Sequence, residues 1–348
     1  MTLRRFLLLT IIASWFGVPA VFGQINGQKT ITTAVPFLTI SPDSRSAAMG
    51  DAGAALSPDA NSIYWNPAKL AFSEKRWGAS VSYNPWLRTL VNDMALSYLA
   101  GYRKFDDDKQ AVGLGIQYFD LGTINFTDNS GNSLGDGTPR EVAITASYAR
   151  QLGREFSMAV NLRYINSNLN GYNDVVGVGV RPGSTAAGDI AAYYTKDKNW
   201  GGKDVNLALG AVISNLGGKI AYSNVDGQRD FIPTNLKLGS ALTYNVDVYN
   251  KFTFALDVNK LMVPTPDTAL INGRIVNVNA NKSFVSGVFG SFSDAPGGIS
   301  EELQELSLSA GLEYWYNDFF AVRGGYFTEH RQKGDRKYIT TGLGVRYG

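Results

Sequence analysis

From Trp77 to the C-terminus, apolar residues recur at every second position. Leu306, Leu308, Ala310, Leu312, Tyr314 and Tyr316 alternate with Ser307, Ser309, Gly311, Glu313 and Trp315. Phe252, Phe254, Leu256 and Val258 alternate with Thr253, Ala255 and Asp257. Phe156, Met158, Val160, Leu162 and Tyr164 repeat the pattern, as do Leu236, Leu238, Leu242 and Tyr244. So do Val205, Leu207, Leu209 and Ile213; Met94, Leu96 and Tyr98; Val112, Leu114, Ile116 and Tyr118; and Ile339, Leu343, Val345 and Tyr347. A period of two belongs to strands, because successive side chains point to opposite faces. Most runs reach about 9–11 residues, the length of a tilted strand crossing a bilayer, whereas soluble strands average ~5–6.

The second face separates two all-β classes. A soluble sandwich hides its apolar face and turns a charged one to water. Here the face opposite the apolar one is mostly Gly, Ala, Ser, Thr and Asn, and charged residues make up only 18% of the chain. Small and polar side chains suit the interior of a membrane barrel, with the apolar face towards lipid. Tyr83, Trp86, Tyr102, Tyr118, Tyr148, Tyr164, Tyr244, Trp315, Tyr316, Phe319 and Tyr347 sit towards strand ends, as an interfacial aromatic girdle requires. The expected fold is an all-β transmembrane antiparallel barrel. By the same logic, Arg is expected to be costly at Leu308 or Leu256 and milder at the inward Ser309 or Asp257.

The pattern gives about twelve strands: 77–84, 92–103, 110–119, 140–150, 155–165, 188–196, 204–214, 234–245, 251–260, 306–316, 319–328 and 337–347. Every second connection is short: 104–109, 151–154, 197–203, 246–250 and 317–318. Those between them, 120–139, 166–187, 215–233 and 261–305, are longer. Outer-membrane barrels have short periplasmic turns and longer extracellular loops. Both termini are therefore expected on the periplasmic side, with the long loops extracellular.

Three regions follow. Residues 1–23 read as a signal peptide, with Arg4 and Arg5 before the apolar Phe6–Phe16 and a small residue at Gly23, so the mature chain begins at Gln24. No later run has eighteen consecutive apolar residues, so no helical span is expected. Residues 24–76 lack the alternation and are expected to form a periplasmic segment folded into the lumen as a plug. Within it, Ser44–Leu56 reads as one short helix ended by Ser-Pro-Asp at 57–59. Residues 77–348 are the barrel. The long connection 261–305 carries Ile271, Ile275, Val276, Phe284, Val285, Val288, Phe289 and Phe292, too apolar for disorder. Ser300 is expected to cap a short helix there, with Glu301 and Glu302 in its first turn. An ordered apolar outer loop reads as a protein-docking surface, with Phe284, Val288, Phe289 and Phe292 as candidate anchors.

The run Ser44–Phe72 contains Met49-Gly50-Asp51-Ala52-Gly53-Ala54 and Trp65-Asn66-Pro67-Ala68. It resembles the N-terminal hatch of FadL-like outer-membrane proteins, with Met49, Gly50, Gly53, Trp65, Asn66 and Pro67 as the hatch motif. Phe292-Ser293-Asp294-Ala295-Pro296-Gly297-Gly298, followed by Glu301-Glu302-Leu303-Gln304-Glu305, is similar to the long loop of the PorV family, outer-membrane components of the Bacteroidota type IX secretion system. Ile213-Ser214-Asn215-Leu216-Gly217 and Pro233-Thr234-Asn235-Leu236 resemble that family's strand boundaries. The resemblance implies a fourteen-stranded barrel in the outer membrane. It further implies a non-enzymatic role: binding the C-terminal signal domains of cargo at the translocon barrel and shuttling them to the surface sortase and attachment complex. Partners would be those proteins and membrane lipid. The alternative is a FadL-like transporter of hydrophobic molecules, against which the small polar inward faces weigh.

Enzyme chemistry finds little support. The chain has no Cys and one His, so thiol chemistry and Cys- or His-rich metal sites are excluded. Gly131-Asn132-Ser133-Leu134-Gly135 matches a nucleophile elbow in letters but lies in a turn-rich stretch, with His330 in another loop. Asp106-Asp107-Asp108 reads as a solvated turn. A net charge of +2 gives no electrostatic footprint for nucleic acid. No cofactor is expected.

Overall fold

The computed structural model describes residues 30–347 except 129, 170, 172–180, 223–228, 272–273, 278 and 280–281. The expected signal peptide, and residues 170 and 172–180 of the loop expected at 166–187, lie outside the described residues.

Each alternating run forms a strand. In chain order these are β1 (Trp77–Pro85), β2 (Ala95–Lys104), β3 (Gln110–Asp120), β4 (Ile124–Thr127), β5 (Ser133–Gly137), β6 (Arg140–Gln151), β7 (Phe156–Asn168) and β8 (Gly183–Trp200). There follow β9 (Lys203–Gly217), β10 (Asn235–Asn245), β11 (Asn250–Leu261), β12 (Thr268–Ile271), β13 (Arg274–Asn277), β14 (Leu306–Tyr316), β15 (Phe320–Thr328) and β16 (Lys337–Val345). Twelve of them form one sheet in the order β1-β2-β3-β6-β7-β8-β9-β10-β11-β14-β15-β16, every pair antiparallel. Pairs β4–β5 and β12–β13 stand outside it as separate hairpins within long connections. The short connections gather at one end of the sheet and the long ones at the other. Among the described residues no helix is long and apolar enough to cross a membrane.

The register sorts the faces. Leu256 pairs with Ala310, Asp257 with Ser309, and Val258 with Leu308. Leu256, Leu308 and Leu312 are exposed on the outer face, while Asp257, Ser309 and Glu313 are buried. The outer face continues through Leu114, Ile144, Val160, Leu162, Leu209, Phe254, Val322 and Ile339, the apolar band that lipid demands. In β2 the expectation fails: Leu96 and Tyr98 are buried inward and Leu99 points out. The reason lies in the lumen, where the Tyr98 ring packs edge-on against Tyr64, 6.4 Å between centroids.

The lumen is filled by the N-terminal segment. Its helix, Ser44–Ala48, is capped by Asp43, whose carboxylate accepts from Ser46 N at 2.9 Å. The helix expected over 44–56 stops here because Gly50 and Asp51 both take positive φ, 67° and 65°. A 3-10 turn at Pro36–Thr39, a helix at Ser62–Trp65 and a 3-10 turn at Pro67–Phe72 complete the segment. Its apolar core joins Met49, Leu56, Ile63 and Leu70 to inward residues of the sheet, including Tyr98, Ala149, Tyr193 and Val212. The sheet curls round this segment. Gly113 on β3 faces Ile63, Gly210 on β9 faces Ala54, and Gly311 on β14 faces Met49. A Cβ on Gly311 would stand 2.5 Å from the Met49 carbonyl oxygen, and one on Gly210 closer still to that of Ala54, so these two approaches to backbone require glycine.

Among the described residues no ladder joins β1 to β16. The plug spans the two edges instead. Asn84 of β1 donates to the carbonyls of Ser41 and Pro42, at 3.0 and 2.9 Å. Ser41 Oγ donates to Asp51, which also accepts from the Tyr338 hydroxyl of β16. Thr340 of β16 donates to the Ala48 carbonyl at 3.0 Å.

Candidate functional site

The hatch motif residues all lie inside the sheet. Met49 is fully buried against Gly311. A side chain at Gly50 would meet the Tyr326 backbone, and one at Gly53 the Trp65 indole. Trp65 is held by its Nε1–H, which donates to Asp43. Asn66 joins three elements at once. Its amide donates to Ala54 O (2.9 Å) and to Ala192 O of β8 (3.0 Å). Its Oδ1 caps the following 3-10 turn by accepting from Ala68 N at 3.1 Å. Pro67 starts that turn, where its fixed φ and missing N–H cost nothing.

Inward charges of the sheet clamp this segment. Glu313 of β14 accepts from Arg45 of the hatch at 2.9 and 3.1 Å and from Arg323 of β15 at 2.6 Å. Asp257 of β11 accepts from the N–H groups of Gly53 and Ala54, at 2.8 and 2.9 Å. Arg163 of β7 pairs with Asp189 of β8 at 2.8 Å and also donates to Thr145 and Asn215. Asn161 donates to Asp189 at 2.7 Å and to the Ile63 carbonyl at 3.0 Å. Sequence reading missed this network. Its signal was a charge at an inward position of an otherwise small face, readable only once register is known. The network also corrects the expectation that Arg would be milder at the inward Ser309 or Asp257. Both are fully buried beside the hatch and leave no room for Arg.

Above the hatch, on the long-loop side, lies a cavity of about 560 Å³. Its floor is Asp51, Tyr64 and Trp65, and its walls come from the strand ends at Asn235, Lys237 and Asn259. Its lining mixes hydroxyl, amide and charged side chains with the apolar surface of Ile31, Leu38, Val212, Leu261, Leu306 and Phe327.

The long connection between β11 and β14 is ordered around two helices, Phe284–Gly290 and Ile299–Gln304. Ser283 caps the first, accepting from Ser286 N at 3.3 Å. Gly287 faces the Phe231 ring, and the neighbouring Val288 is fully buried. Val288 therefore seats the helix, whereas Phe289 is 66% and Phe292 46% exposed and Phe284 is half-buried. Val285, Ile299 and Leu303 add to the exposed apolar surface. The second helix is capped by Gly298, in a left-handed conformation, and not by Ser300, which falls inside the first turn.

A buried ion-pair cage holds the second helix down. Lys260 of β11 donates to Glu302 and Glu305, at 2.9 and 2.7 Å. Lys333 of the β15–β16 loop donates to Glu301 and Glu305, at 2.8 and 2.9 Å. Thr265 donates to Glu305 at 2.6 Å. Burial alone would raise the Glu305 carboxyl, but these donors outweigh it and hold it below the ordinary carboxylate range.

Ser133 opens β5 of a short hairpin, followed by no helix, and its hydroxyl accepts from Asn125 at 2.8 Å. Asp106 and Asp108 lie in an exposed turn facing Arg76. Among the described residues no three His, Asp or Glu side chains gather where they could hold a metal ion.

No curated protein matches the chain. Among solved structures it is similar to the Pseudomonas putida toluene transporter TodX, at 12% identity and TM-score 0.46 over 87% of this chain and 88% of that one. It is likewise similar to the Ralstonia pickettii toluene transporter TbuX (12%, TM-score 0.44, 87% and 89%). A Pseudomonas aeruginosa FadL homologue gives 10% identity and TM-score 0.45 over 92% and 88%. The profile of the type IX secretion system protein PorV matches residues 24–268, which include the hatch and the strands that enclose it. With its motif residues locked inside a twelve-stranded antiparallel sheet, the chain belongs to the PorV family of type IX secretion proteins.

Proposed function

We propose that this outer-membrane type IX component receives cargo C-terminal signal domains at the translocon barrel and passes them to the surface sortase and attachment complex. The observation that carries this reading is the platform of the β11–β14 connection. Val285 and Phe289 on the first helix, Phe292 just beyond it, and Ile299 and Leu303 on the second are all exposed; the first helix is seated by buried Val288 and the second is pinned by the Lys260–Glu305–Lys333 cage. An apolar patch that stays ordered without a partner is suited to reversible protein contact. In this reading the long-loop end is extracellular and both termini are periplasmic. The rival reading, transport of hydrophobic molecules, needs an apolar route past the hatch, and the packing of Met49, Leu56, Ile63 and Leu70 against the inner face of the sheet weighs against one. The protein acts by binding and not by catalysis.

The test replaces Phe289 and Phe292 together with Ser. The variant should insert normally, because neither residue belongs to the sheet, and should lose co-purification with cargo and translocon. Apolar anchors in such patches contribute about 2 kcal/mol or more each. Undiminished capture of cargo by this variant would remove the platform from the mechanism.

A further inference from the structure

Among the described residues, the cavity above the hatch contains one cation with no carboxylate within salt-bridge distance. Lys237 of β10 lines it, and among the described residues no acidic oxygen lies within salt-bridge distance of its ammonium. The group rests on the Trp65 ring, 4.3 Å from the centroid. Every other cation of the lining is engaged: Arg163 with Asp189, Lys333 with Glu301 and Glu305, and Arg336 with Glu329. The acidic groups nearest in charge are Asp51 and Asp257, neither within salt-bridge distance of the ammonium. Asp51 accepts from Ser41 and Tyr338; one oxygen of Asp257 accepts from the Gly53 and Ala54 N–H groups, and its other oxygen is buried without a hydrogen-bond partner. An ammonium held by an aromatic face keeps most of its capacity for an anion.

The rest of the lining selects what such an anion is attached to. Thr30, Thr32, Ser214, Asn235, Asn259 and Ser307 offer side chains that both donate and accept. An alkyl tail would return no hydrogen bond to these groups. A peptide backbone supplies a donor and an acceptor at each residue. The volume, about 560 Å³, falls within the ~300–1,000 Å³ of ordinary ligand sites. We infer that the cavity is a receptor for the end of an extended peptide, with Lys237 binding its C-terminal carboxylate and the hydroxyl and amide walls bonding the last few backbone groups. The inference rests on the cargo-binding reading and deepens it: the platform holds the folded part of a client, and the cavity takes its chain end.

The experiment uses the full-length protein in detergent and three probes: a fluorescein-labelled hexapeptide of Thr, Val and Asn with a free C-terminus, the same peptide amidated, and dodecanoate. The free acid should bind, the amide should bind roughly ten-fold more weakly, and dodecanoate should not displace the peptide. Lys237→Gln should bring the acid down to the level of the amide, and Lys237→Arg should restore the difference, with heat-modifiability unchanged in both. Equal binding of acid and amide, or no binding of either, overturns the inference. Displacement by dodecanoate that depends on Lys237 overturns it in favour of a fatty acid site. Failure here with cargo capture still lost in the Phe289/Phe292 variant sinks the inference alone. Peptide binding through Lys237 with capture retained in that variant sinks the platform instead.

Discussion

At the residue scale the hatch is held by contacts that admit few substitutions. Asn66→Ala removes two donors to buried carbonyls and the cap of a 3-10 turn. Leaving such carbonyls unpaired costs about 1–3 kcal/mol each. The variant should therefore unfold at a clearly lower denaturant concentration, read by tryptophan fluorescence. Gly311→Val should be worse, because its Cβ would meet backbone of the hatch that has nowhere to go. Gly324→Val is the control: on the neighbouring strand, nothing lies within 4 Å of the added carbon. The temperature at which the folded band converts on a gel should fall for the first and hold for the second. The Trp-Asn-Pro-Ala stretch was legible because its letters encode a cap and a turn start. Lys237 and Arg163 were not, since whether a charge faces lipid, water or a hatch depends on a register set by strands far away in sequence.

At the element scale the strands were legible from period alone, and the places where the reading failed have local causes. The β2 face inverted because Leu96 and Tyr98 serve the core of the hatch. The helix expected at 44–56 shortened because Gly50 and Asp51 turn left-handed. The helix Ile299–Gln304 took its cap from Gly298, one of two consecutive glycines that the eye passes over in favour of Ser300. Its attachment is acid-sensitive in a stated direction. Glu305 has a folded pKa below its ordinary value of 4.5, so its contribution is full above that value and is lost as pH falls through the lowered one. A spin label at the exposed Ser300 should stay immobile at neutral pH and gain mobility only as the pH falls below the ordinary Glu value of 4.5, while the sheet remains folded. Equal mobility at neutral pH and well below 4.5 would mean that Lys260 and Lys333 do not hold the helix.

On the scale of the whole molecule, lipid rather than water dictates the outer face. Leu308→Arg and Leu256→Arg should each cost ~2–4 kcal/mol near the midplane and reduce insertion into vesicles. Arg at Leu303, on the platform and away from the sheet, should insert normally. The alternation of short and long connections was readable because it depends only on where the strands begin and end. That the lumen is filled was readable only in outline: a bulky segment before the first strand implied a plug, but its fit against Gly113, Gly210 and Gly311 needed all the strands in place.

The bridge from Asn84 through Ser41 and Asp51 to Tyr338 has a consequence for biogenesis. Asp51 and Tyr338 are 287 positions apart, so the first folded segment to be made receives its partner almost last. Contacts of such long range are slow to form, because the entropy of closing the loop is lost before the contact forms. Until β16 arrives, the hatch lacks the hydrogen bonds from Tyr338 and Thr340, and the far edge of the sheet has nothing to meet. A chain truncated before Lys337 should therefore accumulate as a protease-sensitive intermediate with its hatch exposed. Tyr338→Phe should slow maturation in a pulse-chase experiment more than it weakens the finished protein.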